Sequence, residues 1–493
     1  MIEEEYIRLI FGLKLKQIRT DKNLSLFGLA KITGLSKSYL NEIEKGKKYP
    51  KRDKIVTLAE ALETSYDNLV SLKLDKNLAP IGEILQSRIL KEIPLDIFGI
   101  KESDLIDIIA EAPLKVNAFI STLFEIAKHY NLTRESFFLA ALRSYQEANN
   151  NYFEEIELQV EKFAKAYSID LSKRLKVSDL EEILIEEYGY TINNEELTQH
   201  KELNNLRSVF VPSSKTLLVS SETDDSQRLF IYAKEIAYNF LNITDRLYTF
   251  SWIKFDSFDQ VLNNFMASYF AGALLIPRKE LVTALKSFFE EKTYNSQKFQ
   301  TLMYRFTDSP ETFFQRLTNV LPKDFNLKNL FFLRFSHKAG RDYYQLTKEL
   351  HITNLLEPHA NERNEHYCRR WVSIRTLGEI AQEGKEKPVF DTQISSYVHT
   401  DNEYFVFSSA TKDPFRSGYY RSIALGIMIS AHSQSKITFF NDEKLKRSRV
   451  GVTCETCAIA DCKERVAPPR ALERKERFQL TDKVVEAIRE KYK

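Results

Sequence analysis

The chain has 493 residues, 43% of them apolar, and a formal net charge of +2. That length suits about three domains, and the ordinary apolar share can bury several cores. No run of ~18 apolar residues offers a membrane span. The start, MIEEEYIRLIFGLKLKQ, is acidic and then amphipathic, unlike a secretory signal, so a cytoplasmic protein is expected.

The small net charge conceals an asymmetry. From Arg8 to Ile55 there are 13 Lys/Arg and 4 Asp/Glu, a local charge of +9, which leaves −7 for the rest. A basic segment on a slightly acidic body points to a polyanion partner for that segment. The four cysteines are Cys368, Cys454, Cys457 and Cys462. In a reducing compartment, clustered cysteines more often hold metal or do redox chemistry than form disulfides.

In chain order, Ile7, Ile10, Leu13 and Ile18 fall at helical spacing and predict a first helix. Ser25 is a good N-cap for a second, running through Leu29 and Ala30 to Ile32. Gly34 supplies a tight turn, Ser36 caps a third helix with Tyr39, Leu40 and Ile43, and Gly46 ends it. A fourth helix after Pro50 is expected to bury Ile55, Leu58, Ala59 and Leu62.

The string LAKITGLSKSYLNEIEKGKKYP resembles the phage-repressor (XRE) helix-turn-helix family through Ala30, Gly34, Leu35, Tyr39, Ile43, Glu44, Gly46 and Pro50. The resemblance implies a DNA-binding domain over 1–75 and double-stranded DNA as partner. In that docking geometry the second helix of the motif enters the major groove by its N-terminal end. Ser36, Lys37, Ser38 and Asn41 would then face base edges, with Asn41 suited to adenine. Lys45, Lys47, Lys48, Lys51 and Arg52 would grip phosphates. Many relatives carry Gln just after the position of Ser25, where this chain has Leu26 and Phe27. One recognition helix reads only a half-site, so a homodimer is expected.

A helical linker or dimerisation region is expected over 76–170. Pro80, Pro94 and Pro113 punctuate it, and Leu105, Ile108, Ile109, Ala118, Leu123 and Ile126 show helical spacing. The run SFFLAALRSYQEANNNYFEEIELQVEKFA reads as one long helix or two, with Phe138, Leu142 and Tyr145 on one face and Tyr152, Ile156 and Val160 further on. The string LRSYQEANNNYFEEIE resembles the linker of acyl-CoA-responsive regulators of the same repressor class.

Residues 171–285 read as mixed: a helix around Leu180–Glu187, strand-like runs Ser208–Pro212 and Thr216–Ser220, then RLFIYAKEIAYNFLN. This order resembles the ImmA/IrrE metallopeptidase domain, whose last helix carries H-E-x-x-H, two histidines for zinc and a glutamate base. Here the site reads Lys234-Glu235-Ile236-Ala237-Tyr238. The family's third ligand, a glutamate just ahead of F-A-x-x-L-L-x-P, is also missing. The string here is FAGALLIP, Phe270 to Pro277, and Asn264, Phe265 and Met266 precede it. A catalytic zinc needs three protein ligands, so a degenerate scaffold is expected, with no catalytic residue and no enzymatic activity. Glu235 is expected to be a surface or packing residue.

Residues 286–480 predict an α+β sensor domain. Strands are expected at Leu330–Phe335, Tyr343–Leu346, Val389–Ile394, Tyr404–Ser409 and Ile437–Phe440, with a helix over Tyr419–His432. The spacing Cys454-x2-Cys457-x4-Cys462 can wrap one metal centre, and Cys368 in HYCRRW completes four thiolates for zinc or an iron–sulfur cluster. The same residues carry a resemblance. Cys368-x-x-Trp371, the string RSIALG at Arg421–Gly426 and GVTCxxCxxxxCxxRxxPP are similar to the C-terminal domain of short-chain acyl-CoA-responsive regulators of acetate, propionate and glyoxylate-shunt genes. That resemblance implies a GAF-like domain, an acyl-CoA effector and a [4Fe–4S] cluster on Cys368, Cys454, Cys457 and Cys462. Arg369, Arg370, Arg416 and Arg421 would serve the CoA phosphates, with Trp371, Tyr419 and Tyr420 walling an acyl slot. Arg465 and Pro468–Pro469 would shape the cysteine loop.

The fold class expected is therefore multidomain, mostly α then α+β, and the function that of an effector-responsive transcription regulator. The competing readings are a metallopeptidase that cleaves a partner repressor and a toxin–antitoxin or phage-immunity binding protein.

Overall fold

The computed structural model describes residues 4–74, 134–203, 205–248, 257–352, 365–384, 387–398, 400 and 402–492. The helical pattern from Leu105 to Ile126 and the prolines at 80, 94 and 113 lie outside the described residues. The chain divides into two compact units, Met1–Ala141 and Leu142–Lys493. No described helix is long and apolar enough to cross a membrane.

The described N-terminal part folds as helices α1 (Glu4–Asp21), α2 (Leu26–Thr33), α3 (Lys37–Glu44), α4 (Arg52–Ala61) and α5 (Tyr66–Val70). Serine caps begin three of them. The hydroxyls of Ser25, Ser36 and Ser65 accept from the peptide N–H of Gly28, Tyr39 and Asn68 at 2.9, 3.1 and 3.0 Å, each satisfying a donor that the first turn leaves orphaned. Gly34 turns the chain between α2 and α3 at φ +69°. Gly46, also at +69°, lies so close to α1 that a Cβ there would sit 2.9 Å from the Leu9 Cα. Phe11, Leu15, Leu29, Leu40, Ile43, Ile55, Leu58, Leu62 and Leu69 form the core.

The tract 134–166 resolves into two helices, α6 (Arg134–Ala148) and α7 (Glu154–Ala166). Asn150 and Asn151 break the run at left-handed φ of 49° and 50°, a conformation that asparagine tolerates. The Asn151 side chain is buried and donates to the Thr318 hydroxyl at 2.8 Å, while its carbonyl accepts from Asn319.

Next come α8 (Val177–Glu182), which continues as a π-turn over Ile183–Glu187, and a three-stranded sheet with α9 (Glu196–Gln199) between its first two strands. Strand β3 (Thr216–Val219) lies between β1 (Thr191–Asn193), parallel to it, and β2 (Ser208–Val211), antiparallel. Helices α10 (Asp225–Phe240) and α11 (Phe258–Leu275) share with this sheet and α7 one core, including Phe163, Leu217, Ile231, Ile236 and Phe270.

Helices α12 (Arg278–Phe289), α13 (Ser296–Phe306) and α14 (Pro310–Asp324) then lead into a six-stranded sheet. Its strands are β4 (Leu330–Lys338), β5 (Tyr344–Ile352), β6 (Val389–Tyr397), β7 (Glu403–Lys412), β8 (Tyr419–Met428) and β9 (Arg447–Val450), in the order β5-β4-β8-β7-β6-β9. All neighbours are antiparallel except β6 and β9. One face packs on α12–α14 through an aromatic core that includes Phe299, Phe314, Phe407 and Phe439. The other packs on α15 (Val372–Glu383) through Phe331, Phe335, Trp371 and Leu377. The C-terminal region is thus α+β.

Two expected elements are corrected. Tyr419–His432 is not a helix: it is the strand β8, followed by the short helix α16 (Ala431–Lys436). β8 is hydrogen-bonded on both edges and buried on both faces, and such a strand reads as a continuous apolar run with no alternation to recognise. Gly426 lies opposite Phe331, whose ring would be 2.3 Å from a Cβ there. Ile437–Phe440 is not a strand: Thr438–Asn441 is a 3-10 turn that plugs Phe439 and Phe440 into the aromatic core.

Candidate functional site

The N-terminal end of α3 stands open to solvent. Ser36, Lys37, Ser38 and Asn41 are exposed, while Leu40, Ile43 and Glu44 form its buried face. Lys47, Lys48, Lys51 and Arg52 are exposed and Lys45 is half-buried along the following turn. Lys48 pairs with Glu42 at 2.8 Å, and that carboxylate raises its pKa. Phe27, near the start of α2, is 70% exposed. One feature of this head escaped the sequence reading. Glu44 is buried and accepts from Arg19 through Nε at 2.6 Å and Nη2 at 2.9 Å, and Arg19 also donates to the Leu24 carbonyl. This bidentate pair fixes α3 against α1.

In the second unit, the positions that would hold zinc in an H-E-x-x-H enzyme touch one another. Lys234 is buried and donates to Asn264 Oδ1 at 2.6 Å. The Tyr238 hydroxyl reaches the same oxygen at 3.4 Å. Asn264 is therefore the residue of the 264–266 trio that occupies the third corner. Glu235, expected at the surface or in packing, is buried and ion-paired: Arg246 Nη2 lies 2.6 and 2.5 Å from its two oxygens, and the Tyr190 hydroxyl donates to it at 3.1 Å. The Arg246 guanidinium stacks on Tyr238, 3.9 Å from the ring centroid. A hydrogen-bonded cation thus stands where the metal would, and the former base position is neutralised by an arginine.

Lys234 also opens onto a cavity of about 160 Å³. Arg207, Arg334, Lys348 and Arg421 line it as well, and Glu311 is the one carboxylate among its described lining residues. Arg334 Nη1 bonds Glu311 at 2.9 Å. Burial pushes the Glu311 carboxyl upward, but Arg334, Lys348, Arg421 and Arg207 together hold it well below the usual range. Burial lowers Lys234 and Lys348 to about 8 and Arg207 to about 10, with the neighbouring cations adding to the effect. An adjoining cavity of about 210 Å³ shares Gln227, Ser309, Glu311 and Arg421 with the first.

Of the seven residues expected to bind an effector, only Arg421 lines these cavities. Arg369 pairs with Asp342 at 2.6 Å and stacks on Tyr344. Arg370 donates to the Arg449 carbonyl, and the buried Trp371 donates to that of Gly451 at 2.9 Å. Arg416 pairs with Asp413 and stacks on Tyr419. Sequence reasoning missed Arg207, Glu311, Arg334 and Lys348 because they are scattered along the chain and no local pattern joins them, and it found Lys234 only as a degenerate zinc position.

The cysteines come together in part. Residues 366–368 pair with 452–454: the Cys368 N–H donates to the Val452 carbonyl at 3.0 Å and the Cys454 N–H to that of His366 at 2.8 Å. Cys368, Cys454 and Cys457 are buried and Cys462 half-buried, all as free thiols. Burial raises the Cys368 thiol to about 11, against N–H bonds to its sulfur from Gly451 and Arg370, while Cys457 and Cys454 are close enough to raise it further. Gly451 makes room for Cys457, whose Sγ would be 2.7 Å from a Cβ there. Arg465 ties the loop by donating to the carbonyls of Cys454 and Ile459. Among the described residues no group of three or more His, Cys, Asp or Glu is gathered to hold a metal ion.

Two family profiles match the chain: Helix-turn-helix over residues 15–69 and IrrE N-terminal-like domain over 185–318. The chain carries a helix-turn-helix DNA-binding domain and an IrrE-like domain. No curated protein matches. Among solved structures, a Mycobacterium tuberculosis transcriptional regulator is 19% identical, over 66% of this chain and 92% of its own, with a TM-score of 0.46. The restriction-modification controller protein C.AhdI from Aeromonas hydrophila is 35% identical, over 13% of this chain and 94% of its own, with a TM-score of 0.12.

If Lys234, Tyr238 and Asn264 occupy a vestigial zinc site, the triple substitution Lys234→His, Tyr238→His, Asn264→Glu should add one equivalent of bound zinc to whatever the unsubstituted chain holds. Elemental analysis after dialysis checks this. An unchanged zinc content in a folded variant would mean that the three positions no longer converge on a metal-sized space.

Proposed function

We propose that this protein is a cytoplasmic, sequence-specific transcription regulator of short-chain fatty acid genes, of the acetate–propionate or glyoxylate-shunt kind. Its helix-turn-helix head reads DNA as a homodimer, and its effector is an acyl-CoA. The observation that carries the effector reading is the basic cavity. Five cations facing one carboxylate favour a ligand that brings several negative charges, as the phosphates of CoA do. Phe230, Ile231 and Leu247 in the same wall supply apolar surface for a short acyl chain. The effector would act by binding one of two states of the protein more tightly, shifting the population competent for DNA.

The cysteine loop supports a second input. Cys368, Cys454, Cys457 and Cys462 form a four-thiol donor set suited to a [4Fe–4S] cluster, with Gly451 and Arg370 offering N–H bonds to one sulfur. Binding would have to draw the thiols closer together than they stand. Such a cluster would supply redox sensitivity. A GAF-like sensor is consistent with a largely antiparallel sheet that carries helices on both faces. The regulator reading is put ahead of the peptidase one because Lys, Tyr and Asn stand at the three zinc positions.

Calorimetric titration of propionyl-CoA into the full chain tests the effector reading. Saturable binding is expected at pH 7, weakened at least about tenfold by Lys348→Gln, the loss of about 1.4 kcal/mol. Affinity should fall as pH rises through about 8, because the ammonium forms of Lys234 and Lys348 attract the anion and are lost there. Binding at pH 8 should accordingly take up protons. Absence of binding, or equal affinity in the folded variant, would contradict the assignment. For the cysteine loop, protein purified without oxygen should contain iron and sulfide and absorb broadly at ~400 nm. Colourless protein holding one zinc would replace the cluster with a structural site.

A further inference from the structure

Three of the cavity's cations come from adjacent strands of the six-stranded sheet. Lys348 on β5 lies opposite Arg334 on β4, and Arg421 on β8 lies opposite Ser336, two residues along β4. Residues two apart on a strand share a face, so all three cations stand on the side covered by α12–α14, the side of Phe332 and Leu425. The first turn of α14 brings Glu311 in among them. Its carboxylate accepts from Arg334 Nη1 at 2.9 Å and from Gln315 Nε2 at 3.4 Å. Arg334 does not rely on that bond alone for its position, because its Nε donates to the Thr347 hydroxyl at 2.9 Å. The cations would therefore stay in place if the carboxylate left.

Glu311 also stands between two spaces. It lines both the cavity of about 160 Å³ and the adjoining one of about 210 Å³. Each alone is smaller than the ~300 Å³ at which ordinary small-molecule sites begin, and joined they exceed it. Each is also lined by a buried hydroxyl with no hydrogen-bond partner among the described residues, Ser226 in the first and Ser409 in the second. A buried hydroxyl left unbonded is costly, and this pair points to a ligand that reaches both spaces. We propose that Glu311 is a built-in counter-ion, which fills the anion position of the empty cavity and divides it from its neighbour. An entering polyanion takes over Arg334, Lys348 and Arg421, the carboxylate leaves, and the two spaces become one site. A monoanion would only exchange one negative charge for another. An ion with two or more charges attracts the same cations more strongly and prevails, so Glu311 selects for polyanions. The inference rests on the reading of this cavity as an anion site, and it does not require that the anion be a CoA thioester.

Calorimetric titration of inorganic pyrophosphate into the full chain, without magnesium, tests it. Glu311→Gln keeps the shape of the side chain and removes its charge, and should bind pyrophosphate at least about tenfold more tightly than the unsubstituted chain. Asp413→Asn is the control, because the charge of Asp413 is also felt at Arg207 although Asp413 lines neither cavity. It should change the affinity by less than about threefold. A second variant tests shared occupancy. In Glu311→Ala, added acetate should fill the place of the lost carboxylate, raise the melting midpoint and compete with pyrophosphate. In the unsubstituted chain acetate should do neither. Equal tightening in Glu311→Gln and Asp413→Asn, no tightening in Glu311→Gln, or acetate without effect on pyrophosphate binding by Glu311→Ala would overturn the proposal. So would failure of pyrophosphate to bind any of these chains. If propionyl-CoA fails to bind while the pyrophosphate results hold, the effector reading falls and the counter-ion stands. Propionyl-CoA that binds the unsubstituted chain and Glu311→Gln equally well gives the reverse.

Discussion

Concentrated positive charge is the constraint around which the second unit is organised. Arg207, Lys234, Arg334, Lys348 and Arg421 are recessed around one cavity with Glu311 as its one described carboxylate. Like charges brought out of water repel one another and lose solvation. Two of the lysines respond by falling to about 8. Such an arrangement raises the energy of the empty cavity and lowers it when an anion enters. That is the physical basis on which we propose it as an anion site. Structural pairs look different here: Arg316 with Glu157 and Arg246 with Glu235 are matched one to one, with two hydrogen bonds each.

The same cavity borders two of the positions that hold zinc in an H-E-x-x-H enzyme, Lys234 and Asn264. A zinc peptidase concentrates positive charge with a metal and holds it with two histidines and a carboxylate. In this chain Lys234 carries the charge, Asn264 accepts its hydrogen bond, and Arg246 neutralises Glu235. Lys234, Tyr238 and Asn264 stand at the three zinc positions, and Glu235 remains, paired with Arg246.

Legibility in the sequence followed the range of the interactions. The reading head was readable because its determinants are local: Ser25 and Ser36 cap helices, and Gly34 and Gly46 take left-handed turns, each within a few residues of what it shapes. Strands β2 and β3 were readable as short apolar, strand-like runs. Strand β8 was not, because its burial on both faces erases the two-residue period. The Arg19–Glu44 pair spans 25 positions, and the cavity draws on residues from Arg207 to Arg421. No window of sequence holds either. The three vestigial zinc positions fell between these cases: resemblance located Lys234 and Tyr238, and only the fold chose Asn264 from its two neighbours.

The central claim is that occupancy of the basic cavity changes how the head binds DNA. The most direct test is fluorescence anisotropy of the protein on a labelled fragment of its own promoter, with and without saturating propionyl-CoA, at fixed moderate salt. The account predicts a specific complex whose dissociation constant shifts by about 5-fold or more with the thioester, the usual scale of a coupling free energy. Identical affinity in the two conditions, or no preference for the promoter over random duplex, would contradict it.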